Sequence, residues 1–380
     1  MMKIRLIVLN VILLLILSCN TKSIFDKSEN EEESKVTQLP RSHWMEGKYG
    51  LMVHWLAPGP LPQSGAQIKD LNKAVDAFNL EAFMADFDQT GAEWLIFTIG
   101  QNSGNYASPN ITIDSLAGKG HTSNRDLVLE IAQAIKKRGK RFIAYLPCEI
   151  RANESMHKGF AWNTQSGTDQ AKFQQLYLKV IREWAIRFGK NLDGWWFDGC
   201  YTWEAFPNKY MKWEEWYNAA RAGNPDAALA FNDGSYLVSS IKPIVPEHDF
   251  LSGEQLVIID GKLRLGLKKE GYKLYLPETA YVEGTTCLNH TLLPIDAYWS
   301  RGSGICPDWG NFPFKAIYTS TPDGMEPPAY SDDQLQQFVK NYTLIGGAVT
   351  LNVGIFQEGH IGKMTLTQLT KLKENYIKWK

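Results

Sequence analysis

Apolar residues recur along this chain in two alternating rhythms. Short runs, apolar on both faces and rich in β-branched and aromatic residues, occur at 49–54 (YGLMVH), 94–99 (WLIFTI), 141–146 (RFIAYL), 193–198 (DGWWFD), 228–232 (ALAFN), 249–253 (DFLSG), 273–277 (KLYLP) and 348–353 (AVTLNV). Such runs suit parallel strands covered on each side. Between them the period lengthens to three and four residues. Over 169–189, Phe173, Leu176, Tyr177, Val180, Ile181, Trp184 and Phe188 form one stripe, and Lys172, Lys179, Arg182 and Arg187 lie mostly outside it. A second helix is expected from Ser123 or Asn124 through Leu127, Ile131 and Ile135, stopping after Lys136, Lys137 and Arg138 at Gly139, where basic residues and a glycine suit a helix C-terminus. A last amphipathic helix precedes Lys380. Eight strands alternating with helices predict an α/β fold, a (β/α)8 TIM-type barrel, in a single domain over 41–380. The long segments without pattern, 55–78, 100–122 and 303–330, fall mostly on the active-site face of such a barrel.

The first forty residues follow a different pattern. Lys3 and Arg5, a short apolar run and Ser18 before Cys19 make an export signal with a lipoprotein-type cleavage box over 1–18, although Ile16 stands where such boxes more often carry Leu. Cys19 is then the lipidated first residue of a mature, exported bacterial lipoprotein, membrane-anchored and periplasmic or cell-surface; an uncleaved apolar anchor is the alternative. Residues 19–40, with Glu29 and Glu31 to Glu33, hold too few large apolar groups to fold and are expected to be a disordered tether.

Composition narrows the function. A net charge of −1 and no basic cluster give no support for a nucleic-acid partner, and none is expected. Thirteen Trp and sixteen Tyr favour a carbohydrate ligand, whose C–H faces stack on aromatic rings, or else a core filled with them. Besides Cys19 the cysteines are Cys148, Cys200, Cys287 and Cys306, whose spacing fits no metal motif, so no metal or cofactor is expected. Cys148 and Cys200 follow adjacent predicted strands, which leaves a disulfide between them open.

Reactive groups are sought at strand ends. Gly194, Trp195, Trp196 and Phe197 run straight into Asp198, a carboxylate at the carboxyl end of a buried strand, where barrels carry their chemistry; most such aspartates merely cap the next helix. Glycosidic cleavage commonly pairs an ionised carboxylate with a protonated one. Glu254, just past the sixth run, is best placed to be the partner, with Glu149 and Glu278 as competitors that could instead tether loops or bind substrate hydroxyls.

Several ordered segments resemble the α-L-fucosidases of glycoside hydrolase family 29. KYGLMVHW, Lys48 to Trp55, is similar to the family's first-strand segment ending in His-Trp. GWWFDG resembles its nucleophile strand, and DFLSGE, Asp249 to Glu254, resembles an Asp-aromatic-x-Thr-Pro-Glu element that often carries the acid/base. GGAVTLNVGIFQEGHI, Gly346 to Ile361, resembles its strand-eight signature. The departures are equally clear. Where the family carries Lys-His-His-Asp-Gly, this chain has Gly100-Gln101-Asn102-Ser103-Gly104, and where the family often has Asn-Asp-Arg it has Asn232-Asp233-Gly234. Amides still bond hydroxyls but carry no charge.

The resemblance implies a retaining exo-glycosidase acting on terminal α-linked L-fucose or a related sugar of a glycan. Asp198 is the implied nucleophile and Glu254 the implied acid/base. His54, Gln101, Asn102 and Trp196 are the implied sugar contacts, with Trp55 and Tyr145 as walls and Glu278 a further substrate contact. The altered pocket residues leave open an α-glycosidase for a different or decorated sugar, and a non-catalytic glycan binder. The family's C-terminal β-sandwich is not expected in this sequence.

Overall fold

The computed structural model describes residues 39–379 apart from 56–58, 102, 166, 201–207, 234–237, 255, 260–261, 266–272, 297–322 and 326. The strands among them are, in chain order, β1 (Tyr49–Val53), β2 (Trp94–Thr98), β3 (Arg141–Pro147), β4 (Gly194–Asp198), β5 (Ala228–Phe231), β6 (Leu256–Ile259), β7 (Lys262–Leu265), β8 (Lys273–Leu274), β9 (His290–Pro294) and β10 (Ala348–Asn352). Seven of them form one parallel sheet in the order β5-β4-β3-β2-β1-β10-β9. Helices, including Leu80–Thr90, Leu127–Lys137, Ala171–Phe188, Asp332–Leu344 and Lys363–Trp379, alternate with these strands.

The gap between β5 and β9 is filled by residues 249–254, which are not a regular strand. The Asp249 amide donates to the Leu229 carbonyl at 2.8 Å, and the Leu251 and Leu292 amides donate to Leu288 and Gly253 at 3.0 and 2.6 Å. Parallel bridges join Phe250 to Leu288 and Glu254 to Leu292. This segment occupies the sixth place of an eight-membered ring, and the sheet closes into the expected (β/α)8 barrel.

The seventh place corrects the sequence reading. The run 273–277 is not a barrel strand: β8 pairs antiparallel with β6 in a separate three-stranded sheet ordered β7-β6-β8. Leu276, three residues into this run, is exposed. The seventh barrel strand is β9, buried throughout, in which the polar His290 and Thr291 disguise the apolar run. The helix expected from Ser123 or Asn124 starts later, at Leu127. The Asp126 carboxylate caps it by accepting from the Leu129 amide, while the Ser123 hydroxyl donates to the Arg125 carbonyl in the preceding turn.

Two apolar layers hold the barrel. Outside, strand residues such as Leu51, Leu95, Phe97, Trp195 and Phe197 pack on the helix stripes. Inside, Met52, Trp94, Ile96, Tyr145, Trp196, Phe250 and Leu292 fill the lumen. Gly50 is required there, since a Cβ on it would lie 2.3 Å from the Trp94 indole.

The lumen also carries a satisfied polar chain. The Trp94 indole N–H donates to Thr350 Oγ1 at 2.9 Å, and Thr350 Oγ1 lies 2.7 Å from His290 Nε2. His290 Nδ1 lies 2.8 Å from the Leu251 carbonyl, which can only accept. The Nδ1 proton is thereby fixed, Nε2 accepts from Thr350, and burial holds the ring neutral, its pKa lowered to about 4.

At the opposite end, the buried Asp193 carboxylate accepts from Lys136 Nζ at 2.7 Å, Arg141 Nη1 at 2.8 Å and the Phe142 amide at 2.9 Å. It ties the start of β4 to β3 and to the helix before it.

Candidate active site

The carboxyl ends of the parallel strands converge on Asp198. Its Oδ2 accepts from the Tyr145 hydroxyl of β3 at 2.5 Å and from Gln101 Nε2, three residues past β2, at 3.4 Å. Its Oδ1 accepts from Asn232 Nδ2, one residue past β5, at 2.9 Å. Three side chains from three strand ends thus fix the direction of one carboxylate.

Glu254, at the end of the sixth segment, shares Asn232 with Asp198. Burial pushes its carboxyl up to about 8, the Asp198 charge adds to that, and the hydrogen bond with Asn232 opposes it; Asp233 adds a further negative charge nearby. At pH 7 Glu254 therefore keeps its proton beside Asp198. Glu149, two residues past β3, is also near. Burial raises it to about 7, against the Arg151 backbone amide and charge, and Asp198 raises it further. The Arg151 amide donates to the Glu149 carboxylate.

Rings line the same end. His54, one residue past β1, donates from Nδ1 to Asn352 Oδ1 at the end of β10, 3.0 Å away. Burial lowers its pKa to about 4, against the Asn352 bond and the Asp198 charge, so the imidazole is neutral. It meets Tyr145 edge-on with centroids 5.0 Å apart, and Tyr145 stacks on Trp196 at 5.2 Å. The Trp196 indole donates to the Ser252 carbonyl at 3.0 Å, two residues before Glu254.

The residues singled out from sequence fall into three groups. Asp198, Glu254, Glu149, His54, Gln101, Tyr145 and Trp196 meet at this face. Trp55 is fully buried in the outer layer, where its indole donates to the Gln357 carbonyl at 3.0 Å and packs on Phe78. Glu278 lies at the other end of the barrel: the neighbouring Ala280 abuts Gly346 ahead of β10, and the Tyr281 hydroxyl donates to Glu46 ahead of β1. It is solvent-exposed there because 273–277 leaves the barrel instead of ending on the catalytic face. Asn102, Cys19, Cys306 and the amino-terminal signal and tether to residue 38 lie outside the described residues.

Two contributors did not stand out in the sequence. Asn232, which touches both carboxyls, stands out in the sequence only as a pocket difference, and Asn352, which orients His54, is unmarked within the strand-eight segment. An asparagine at a strand's carboxyl end was the available signal in both.

With the geometry in view, comparisons with known proteins give the family. The alpha-L-fucosidase family profile matches residues 26–240. The chain belongs to the alpha-L-fucosidase family. It is accordingly a glycoside hydrolase acting on fucose. Among solved structures this fucosidase-family barrel is similar in fold to the alpha-L-fucosidase isoenzyme 1 from Paenibacillus thiaminolyticus, with a TM-score of 0.58 and 15% identity, over 88% of this chain and 74% of that one. It is also similar to two endo-fucoidan hydrolases of glycoside hydrolase family 107. P5AFcnA gives a TM-score of 0.57 at 14% identity over 88% of this chain and 93% of that one. MfFcnA9 gives 0.61 at 17% identity over 89% and 64%. No curated protein matches the chain.

Proposed function

We propose that the protein is a retaining exo-glycosidase that removes terminal α-linked L-fucose, or a closely related sugar, by double displacement. Asp198 attacks the anomeric carbon and forms the glycosyl–enzyme bond while Glu254 gives its proton to the departing oxygen. Glu254 then takes a proton from water, which releases the sugar with its configuration retained. The observation that carries this reading is the Asn232 side chain bonded to both carboxyls, with Glu254 raised to about 8. One group is positioned to attack and its neighbour still holds a proton to donate, the division of roles that retention requires.

Gln101, neutral His54, Tyr145 and Trp196 supply hydroxyl partners and an aromatic wall for the sugar beside the scissile bond. Gln101, in place of a family histidine, still bonds hydroxyls without carrying charge, and this change is what leaves a related sugar open. The lipoprotein-type box at Ser18–Cys19 supports export and lipid anchoring through Cys19, with the glycan substrate met at the periplasmic or outer surface.

The test is release of the aryl group from a panel of α-linked aryl glycosides headed by the α-L-fucoside, with D198N as control and azide added to E254A. Fucoside turnover lost in D198N, and restored by azide in E254A, supports the assignment. Turnover of another sugar alone would move the specificity. Oligosaccharide release from fucoidan without monosaccharide would replace terminal by internal cleavage. Silence on all glycans with retained binding would make the protein a glycan binder.

A further inference from the structure

Cys148 and Cys200 lie one residue past β3 and two past β4, and these strands are hydrogen-bonded neighbours with Pro147 opposite Asp198. Both side chains are fully buried, and their Sγ atoms are 3.0 Å apart. That is about 1 Å beyond a disulfide bond of about 2.05 Å. Adjacent strands also have the spacing that a disulfide spans, about 4.7–4.9 Å against a Cα separation of about 4.4–6.8 Å. The backbone brings the pair together: Gly199, at φ +79°, turns the chain between Asp198 and Cys200, and a Cβ there would come within 2.9 Å of Glu149 Cγ. The Cys148 amide donates to the Asp198 carbonyl at 2.6 Å, and the Cys200 amide to the Asn232 carbonyl at 2.9 Å.

We propose that Cys148 and Cys200 form a disulfide that clamps the main chain on both sides of Asp198. A disulfide-bearing oxidant, RSSR, accepts the two electrons. One thiolate opens RSSR to a mixed disulfide and releases RSH; the second cysteine displaces the other RSH, and the two thiol protons end on these leaving thiols. The bond forms during folding, before the site closes. Once the reduced pair is buried, burial pushes both thiols up and keeps them unreactive. The cross-link itself is independent of the glycosidase assignment; its bearing on catalysis rests on Asp198 being the nucleophile.

The experiment refolds the full chain with oxidised glutathione, then denatures and alkylates it without reductant before peptide mapping by mass spectrometry. A cross-linked peptide joining Cys148 to Cys200 is expected. Separate alkylation of both cysteines would overturn the proposal, whatever the activity. Thermal unfolding gives the second readout: a closed loop of this size should lower Tm by roughly 5–10 °C when the bond is reduced. The double variant C148A/C200A should show no response to reductant; a drop equal to the wild type's would assign the effect elsewhere and overturn the clamp.

Discussion

Truncating Asn232 to alanine probes the link between the two carboxyls. In the wild type its Nδ2 donates to Asp198 at 2.9 Å, and its hydrogen bond with Glu254 opposes the rise of that carboxyl to about 8. A hydrogen bond to a charged group is worth about 1.5–3 kcal/mol, and each 1.36 kcal/mol is tenfold in rate, so N232A should lower kcat/KM roughly ten- to a hundredfold. The pH profile makes the test specific. Glu254 must be protonated for the first step, so the alkaline limb of kcat/KM lies near pH 8; losing a contact that favours its charged form moves that limb upward, by about one pH unit. Because the pair titrates together, the limb reports the couple and not one residue. The assay is aryl fucoside hydrolysis from pH 4 to 10, with circular dichroism on each variant. An unmoved alkaline limb at reduced rate would refute the bridging role, and unchanged rates would refute the shared contact.

Glu254 should also cost the fold stability above neutrality. Its folded pKa is raised, so the folded state binds more protons than the unfolded between about 4.5 and 8, and stability falls as pH rises through that window. E254Q should therefore melt above wild type at pH 9 and with it near pH 4.5, measured by calorimetry. D193A takes the acceptor from the buried Phe142 amide at the barrel base and releases Lys136 and Arg141 toward water, and should cost about 1–3 kcal/mol in urea unfolding. W196F removes the donor to the Ser252 carbonyl and should cost about 1–3 kcal/mol, with kcat falling more than KM changes because the carbonyl lies two residues from Glu254.

The strands that could be read from sequence were those with apolar residues on both faces. β1 to β5 and β10 carry such runs, and each lies within a residue or so of its expected limits. The sixth place was legible in position at 249–253 but not in form, and the seventh was not legible. Residues 249–254 pair through scattered backbone bonds with side-chain support and make no regular strand. β9 opens with His290 and Thr291, polar residues whose burial makes sense only beside Leu251 and Thr350, far away in sequence. That one misplaced strand also misplaced Glu278. At the site, Asp198 and Glu254 could be proposed because carboxyls at strand ends have a chemical meaning on their own. Asn232 and Asn352 have meaning only through what they touch.

The uneven closure of the barrel divides the two steps of the proposed reaction between a stiff wall and a compliant one. Asp198 ends a strand laddered on both sides, so the proposed nucleophile sits on backbone held from both flanks. Glu254 ends the irregular segment, suspended from His290 and Trp196. The acid/base must serve a leaving group first and a smaller water afterwards, and a seam that gives by a fraction of an ångström lets one carboxyl reach both. Deuterium uptake should then begin at 249–254 while 194–198 is still protected, making the seam the hinge on which turnover depends.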